Sequence, residues 1–146
     1  MKKKIIFCEH PKAGYPYSAN YEKIKKSYEV IKYETEKYID QSYLTIFLSS
    51  LMVGYAISLK KKIILIKSSL LGNFYHLRNI TLTNEIDLFE INIDSEEYKM
   101  LDKTKLNNEL SDKIKNYDNF INKNLIKNSS ESHKNQIQKI IYKEFF

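Results

Sequence analysis

The residues best suited to chemistry begin with an acid and an imidazole that stand side by side. Glu9 and His10 come directly after the apolar run Ile5-Ile6-Phe7-Cys8. A glutamate there could act as a base or nucleophile, with a histidine partner that titrates near neutral pH. The favoured alternative is a solvated loop pair, because adjacent side chains need not converge on one point.

Tyrosines and serines are the second set of candidate site residues. Tyr15 and Tyr17 lie in the same loop as Glu9 and His10 and could stack on a nucleobase. The chain has 12 tyrosines, so a tyrosine at any one position is weak evidence for such a role. Ser49-Ser50 precede an apolar helix, and Ser68-Ser69 follow an apolar strand. Hydroxyls beside the N–H groups of a helix start suit an anion. The alternative for Ser49-Ser50 is helix capping alone, since serine is a preferred N-cap residue.

Short apolar runs and one apolar helix predict the elements that position these residues. Leu44–Leu48 and Ile63–Ile66 are apolar runs of strand length. Lys4–Cys8 is a short apolar run that predicts a buried strand, with Cys8 as a buried thiol. Leu51–Leu59 has helical patterning and ends at Lys60-Lys61-Lys62, where cations favour the helix dipole. The strand before this helix, the helix itself and the strand after it form a βαβ unit. The sequence therefore predicts an α/β fold with a small parallel sheet flanked by helices, Rossmann-like or flavodoxin-like in three layers.

The flanking segments predict further elements. A helix capped by Ser18 or Asn20 runs to about Ser27, and residues 28–33 form a strand or continue that helix. Residues 35–41 form a short helix with Ile39 pointing inward. Residues 86–93 are an edge strand, Asp94 starts a helix, and helical spacing runs on from Leu101. An α/β domain over residues 1–122 is then followed by a helical extension over 123–146. The apolar stripe of that extension could dock on the domain, fray or pair two subunits, and it suggests a homo-oligomer.

The carboxyl ends of the strands are the predicted ligand site, because parallel α/β sheets bind ligands at that edge. Three segments qualify: residues 9–18, Ser49-Ser50 and residues 67–73.

The central block resembles the nucleoside 2-deoxyribosyltransferase-like family, which includes the 2'-deoxynucleoside 5'-phosphate N-hydrolases. That family has an apolar strand, a loop, Glu-Leu-Gly-Tyr-Ala, an apolar helix, Gly-Lys-Pro and a strand. The resemblance covers roughly residues 3–120. The matching positions are Gly54, Tyr55, Ala56, Leu59, Lys61 and Ile63.

The resemblance implies a nucleoside or nucleotide pocket. However, this chain lacks the family's nucleophile at the matching position. The family's glutamate lies two positions before the glycine, where this chain has Met52. A thioether cannot attack an anomeric carbon as a carboxylate does. Tyr43 stands where the family usually has an aspartate. The resemblance thus supports the fold and pocket and argues against the family's usual mechanism.

Three function hypotheses follow, beside a fourth alternative, a different sugar-phosphate enzyme on the same sheet, since fold does not fix function. The first is an enzyme, a nucleoside or nucleotide N-glycosidase or deoxyribosyltransferase, with Glu9 and His10 replacing the absent acid. The second is a nucleotide-binding protein that has lost catalysis, with Met52 near its ligand. The third is an interaction protein that uses its lysine-rich surface and C-terminal helices.

Composition limits the partners. The net charge is +6, but Arg78 is the one arginine, and arginine is the residue that forks onto phosphate and guanine. Codon bias is therefore favoured over RNA binding as the cause of the charge. No apolar run is long enough for a membrane span or a secretory signal. One cysteine and scattered histidines predict no disulfide, metal or cofactor, and a cytoplasmic location.

Overall fold

The computed structural model describes residues 4–9, 19–48, 50, 52–70 and 83–124. The chain divides into two compact units, Met1–Gln41 and Ser42–Phe146. All strand pairs in the described residues are parallel. Helices flank these strands in sequence, which confirms the predicted α/β class. The strands lie in two sheets, of two and three strands, where the sequence predicted one.

The first unit contains β1 (Ile6–Glu9), α1 (Ala19–Ser27), β2 (Glu29–Lys32) and α2 (Thr35–Gln41). β1 and β2 pair so that Glu9 lies opposite Lys32. Of the two alternatives for residues 28–33, the strand is the one observed. The last turn of α1 closes with a bond of 2.8 Å from the Tyr28 N–H to the Ile24 carbonyl, and extended backbone follows.

Burial in this unit agrees only in part with the sequence. Ile39 of α2 is buried, as its position predicted. The prediction that β1 is a buried strand is wrong for Phe7 and Cys8, which are both exposed. Because successive residues of a strand face opposite sides of the sheet, the exposure of both shows that neither face of the β1-β2 pair is covered at this point.

The second unit is built on β3 (Leu44–Phe47), β4 (Lys62–Lys67) and β5 (Phe89–Asn92), in that order. Between β3 and β4 lies α3 (Met52–Ser58), which completes the predicted βαβ block. After β5 come a 3₁₀ helix (Glu96–Met100), α4 (Lys103–Lys115) and α5 (Tyr117–Asn124). β5 is an edge strand, as predicted.

The core of this unit lies between α3, the sheet and α5. Val53, Ala56 and Ile57 have the i, i+3, i+4 spacing of one helix face, and all three are buried. Ile63 and Leu65 are buried on β4, which lies between two strands. Because the central strand of a parallel sheet is covered on both faces, its sequence is continuously apolar.

The end of α3 is defined by a left-handed residue rather than by charge alone. Lys60 has φ 52°, and its N–H bonds to the Ile57 carbonyl at 2.9 Å. The Lys61 N–H reaches back to the Ala56 carbonyl at 3.0 Å. This pair of bonds is the Schellman pattern, in which glycine is the usual left-handed residue. The Lys60 ammonium also contacts Asp118 of α5 at 2.7 Å.

The region after β5 differs from the prediction. Asp94 does not start an α-helix, because a turn and the 3₁₀ helix come first. α4 begins at Lys103 instead, and the Asp102 side chain caps it by accepting from the Lys105 N–H at 2.7 Å. Helical spacing then continues through α4 and α5 with a break at Asn116. The predicted extension beyond Asn124 lies outside the described residues.

None of the helices in the described ranges has the length and apolar composition needed to cross a bilayer.

Candidate functional site

The carboxyl edge of the three-stranded sheet collects three turns of the second unit. Phe47 lies opposite Leu65, and Lys67 lies opposite Asn92. β4 and β5 therefore end at the same level, and β3 ends two residues earlier. The chain leaves all three strands at the same edge of the sheet. Ligands of open α/β sheets bind at this edge.

The turn after β3 is closed by Ser50. Its hydroxyl accepts from the Met52 N–H at 3.1 Å, and its carbonyl accepts from the Val53 N–H at 3.3 Å. Ser50 thus caps α3, which is the capping alternative of the sequence analysis. Met52 is half-buried and lies outside the buried face of α3.

The turn after β4 is closed in the same way by Ser68. The Ser68 hydroxyl accepts from the Leu70 N–H at 3.2 Å. It also donates to the carboxylate of Asp94, with 2.7 Å between the two oxygens. The Ser69 N–H donates to the second oxygen of that carboxylate at 2.5 Å. Ser68 is buried while Asp94 is exposed, so the bond joins a core hydroxyl to a surface charge.

The turn after β5 brings Asp94 to this position. The Ile93 N–H bonds to the Lys67 carbonyl at 3.0 Å, which extends the parallel ladder past the end of β5. Asn92 then closes a tight turn, because its side chain accepts from the Asp94 N–H at 3.0 Å. Continuing the register of Lys67 and Asn92 by two residues places Asp94 opposite Ser69.

These bonds favour the ionised form of Asp94. The N–H of Ser69 and then the hydroxyl of Ser68 hold the pKa of the Asp94 carboxyl below its usual value, because both donate to the charged form. The edge therefore carries a fixed negative charge at neutral pH.

Asp94 is the site residue that the sequence analysis missed. Its position before Ser95 and Glu96 resembled the acidic first turn of a helix, and that interpretation took it away from the sheet edge. The signal was present in the strand prediction. An aspartate directly after a parallel strand lies at the ligand edge, whatever element follows it.

The predicted site residues fall into three groups. Ser50, Met52 and Ser68-Ser69 lie in the turns of this edge or next to them. Glu9 belongs to the first unit, where it ends β1 and is buried. The remaining predictions lie outside the described residues: His10, Tyr15, Tyr17 and Ser49.

The opposite edge of the sheet has a polar cluster of its own. The Lys62 ammonium donates to the Tyr43 hydroxyl at 3.0 Å and to the Asn107 side-chain oxygen at 2.5 Å. It also lies 4.8 Å from the centre of the Tyr43 ring. Tyr43 itself donates to Asn107 at 2.5 Å. Because these three residues come from the starts of two strands and from α4, the cluster fastens α4 to the sheet.

Among the described residues, no three His, Cys, Asp or Glu side chains come together in a way that could hold a metal ion.

Comparison with known proteins adds no relative: no family model, curated protein or solved structure matches this chain. The resemblance to the deoxyribosyltransferase-like family therefore stays a prediction from the sequence.

Proposed function

We propose that this protein binds a nucleoside- or nucleotide-like ligand at the carboxyl edge of the β3-β4-β5 sheet. The observation that carries the proposal is the meeting of Ser68, Ser69 and Asp94 there, with Ser50 in the turn after β3. The exposed Asp94 carboxylate supplies acceptors for the hydroxyl groups of a sugar, and the serine hydroxyls hold it and the turns in place. Parallel strands bring them to the edge where such folds bind ligands.

Met52 favours binding over the family's catalysis. It is the first residue of α3, directly after the edge, at the position that the resemblance assigns to a nucleophile. A thioether has no negative oxygen with which to form a glycosyl ester. A protein with this residue can hold a nucleoside-like ligand at the edge without cleaving it by that route.

A thermal-shift screen tests the proposal. Ribo- and deoxyribonucleosides and their 5'-monophosphates are added one at a time to the full chain. A ligand at a hundred times its dissociation constant stabilises the folded state by about 2.7 kcal/mol. Ser69→Trp places a bulky ring at the exposed edge and should remove the shift. Thr104→Trp, on the exposed start of α4, should retain it. The absence of any shift across the panel would refute the proposal.

Catalysis through Glu9 is the second candidate function. The observation in its favour is a buried carboxylate at the carboxyl end of β1. Glycosidic cleavage requires such a group as nucleophile or base. Hydrolysis and base exchange on the same panel test it, with Glu9→Gln as the variant and the exposed Glu22→Gln as its control. Turnover that is absent, or unchanged by Glu9→Gln, refutes this chemistry.

A dimer in a reducing compartment completes the proposal. The C-terminal sequence has apolar residues at helical spacing (Ile137, Ile140, Ile141 and Phe145), and the one cysteine has no partner for an internal disulfide. Gel filtration of the full chain, against a variant ending at residue 123, should show the larger species only for the full chain. Equal subunit numbers in the two would exclude pairing through this segment.

A further inference from the structure

In the described turns of this edge, the protein itself uses backbone N–H donors that a phosphate would need. The N–H groups of Met52 and Leu70 bond to the serine hydroxyls two residues before them. The Ser69 N–H and the Ser68 hydroxyl bond to Asp94. Phosphate sites at such turns depend on these backbone donors.

Asp94, which accepts two of these hydrogen bonds, is itself an anion. A phosphate at the β4 turn would have to displace the Asp94 carboxylate or lie beside it. Displacement removes two hydrogen bonds, one of them from a buried hydroxyl. Lying beside it places two negative charges within a few ångströms, which is unfavourable even in water. Both arrangements disfavour a negatively charged ligand at this turn.

The same carboxylate can accept hydrogen bonds from neutral hydroxyl groups. An ionised carboxylate has about four lone-pair positions. The Ser68 hydroxyl and the Ser69 N–H use one on each oxygen, and the Ser69 hydroxyl also bonds to this carboxylate, so a position remains for a ligand. Asp94 is exposed, so a ligand can approach it. Acidic side chains at this edge of α/β sheets bind sugar hydroxyls in this manner.

We propose that Asp94 determines specificity at this edge, accepting the hydroxyls of an uncharged nucleoside and excluding the corresponding phosphate. The proposal rests on the ligand site proposed above and narrows it to one ligand class. Asp94 is then a binding residue, and the two serines orient it.

Paired titrations of adenosine and adenosine 5'-monophosphate, followed by calorimetry, test this at low salt. The unmodified protein should bind adenosine about tenfold or more tightly than the monophosphate, because Asp94 repels the charged phosphate group and does not repel the neutral nucleoside. Asp94→Asn should weaken adenosine binding and remove most of that preference. Asp112→Asn, an identical change on the exposed face of α4, should alter neither affinity.

A second variant covers the case in which Asp94→Asn fails to fold. Ser68→Ala removes one donor but leaves the carboxylate in place, so the discrimination against phosphate should persist. Equal or tighter binding of the monophosphate to the unmodified protein overturns the inference while leaving the ligand site intact. The same holds if Asp94→Asn folds and keeps the preference. Failure of both ligands to bind refutes the ligand site together with this inference.

Discussion

The buried hydroxyl of Ser68 and the exposed carboxylate of Asp94 lie 2.7 Å apart, and they join the turns that follow two neighbouring strands. A buried hydroxyl without a partner is costly, so Asp94 satisfies the core at the same time as it charges the surface. The bond therefore connects folding with the proposed binding site. A change in one of these two residues should be visible in both properties.

The first prediction concerns pH. Because the Asp94 pKa is lower in the folded state, its contribution to stability is fully present above the unfolded pKa of about 3.9. The contribution is lost as pH falls through the lower folded value. Urea unfolding of the unmodified protein and Asp94→Asn, between pH 7 and pH 2.5, should give a stability difference that shrinks below about pH 4. A difference that stays constant over this range would contradict the assigned bonds.

The second prediction uses two isoleucines that lie side by side. Ile46 on β3 and Ile64 on β4 are partners in the parallel register, yet Ile46 is 60% exposed and Ile64 only 3%. Ile64→Ala should lower the free energy of unfolding by about 2–5 kcal/mol, because it leaves a cavity. Ile46→Ala should change it by about 0.5 kcal/mol or less. Similar losses in chemical denaturation for both variants would show that β3 is covered.

This pair also shows what the sequence could predict. Apolar runs of strand length placed β3 and β4 correctly, since strand formation follows from local pattern. The exposure of Ile46 did not follow from that pattern. β3 lies at an edge of its sheet, and the order of strands depends on contacts between residues distant in sequence. Asp94 was missed for a similar reason. Its partners Ser68 and Ser69 are about 25 residues earlier in the chain, and only the register of β4 and β5 brings them together.

The capping bond of Ser50 could be predicted from the sequence, because its hydroxyl accepts from the N–H of Met52, only two positions further on. Local preference for capping was enough to indicate that bond. The break of the C-terminal helical pattern at Asn116 was not, since apolar spacing continues across it.

The third prediction concerns the left-handed residue after α3. Lys60 has φ 52°, a conformation that glycine adopts without the cost paid by other residues. Lys60→Gly and Lys60→Ala both remove the exposed ion pair with Asp118, which contributes little. The glycine variant should then be more stable than the alanine variant by about 1 kcal/mol in thermal or urea unfolding. Equal stability of the two would contradict the assigned backbone conformation.

The fourth prediction concerns the start of α4. Asp102 accepts a hydrogen bond from the Lys105 N–H, so Asp102→Ala should lower the free energy of unfolding by about 1 kcal/mol. Asp112→Ala, within the same helix, removes only an exposed contact with Lys115 and should cost about 0.5 kcal/mol or less. Chemical denaturation distinguishes the two. A larger loss for Asp112→Ala would reverse the assignment of the cap.

Mapping of ligand contacts by NMR tests the proposed site most directly. The full chain, labelled with ¹⁵N, is titrated with adenosine, and shifts of the backbone amides are followed residue by residue. We expect the amides of Met52, Ser69 and Asp94, at the carboxyl edge, to shift together and to saturate at one dissociation constant. Those of Tyr43, Lys62 and Asn107, at the opposite edge, should stay in place. Saturable shifts at the opposite edge, or none at either edge, would contradict the proposed site.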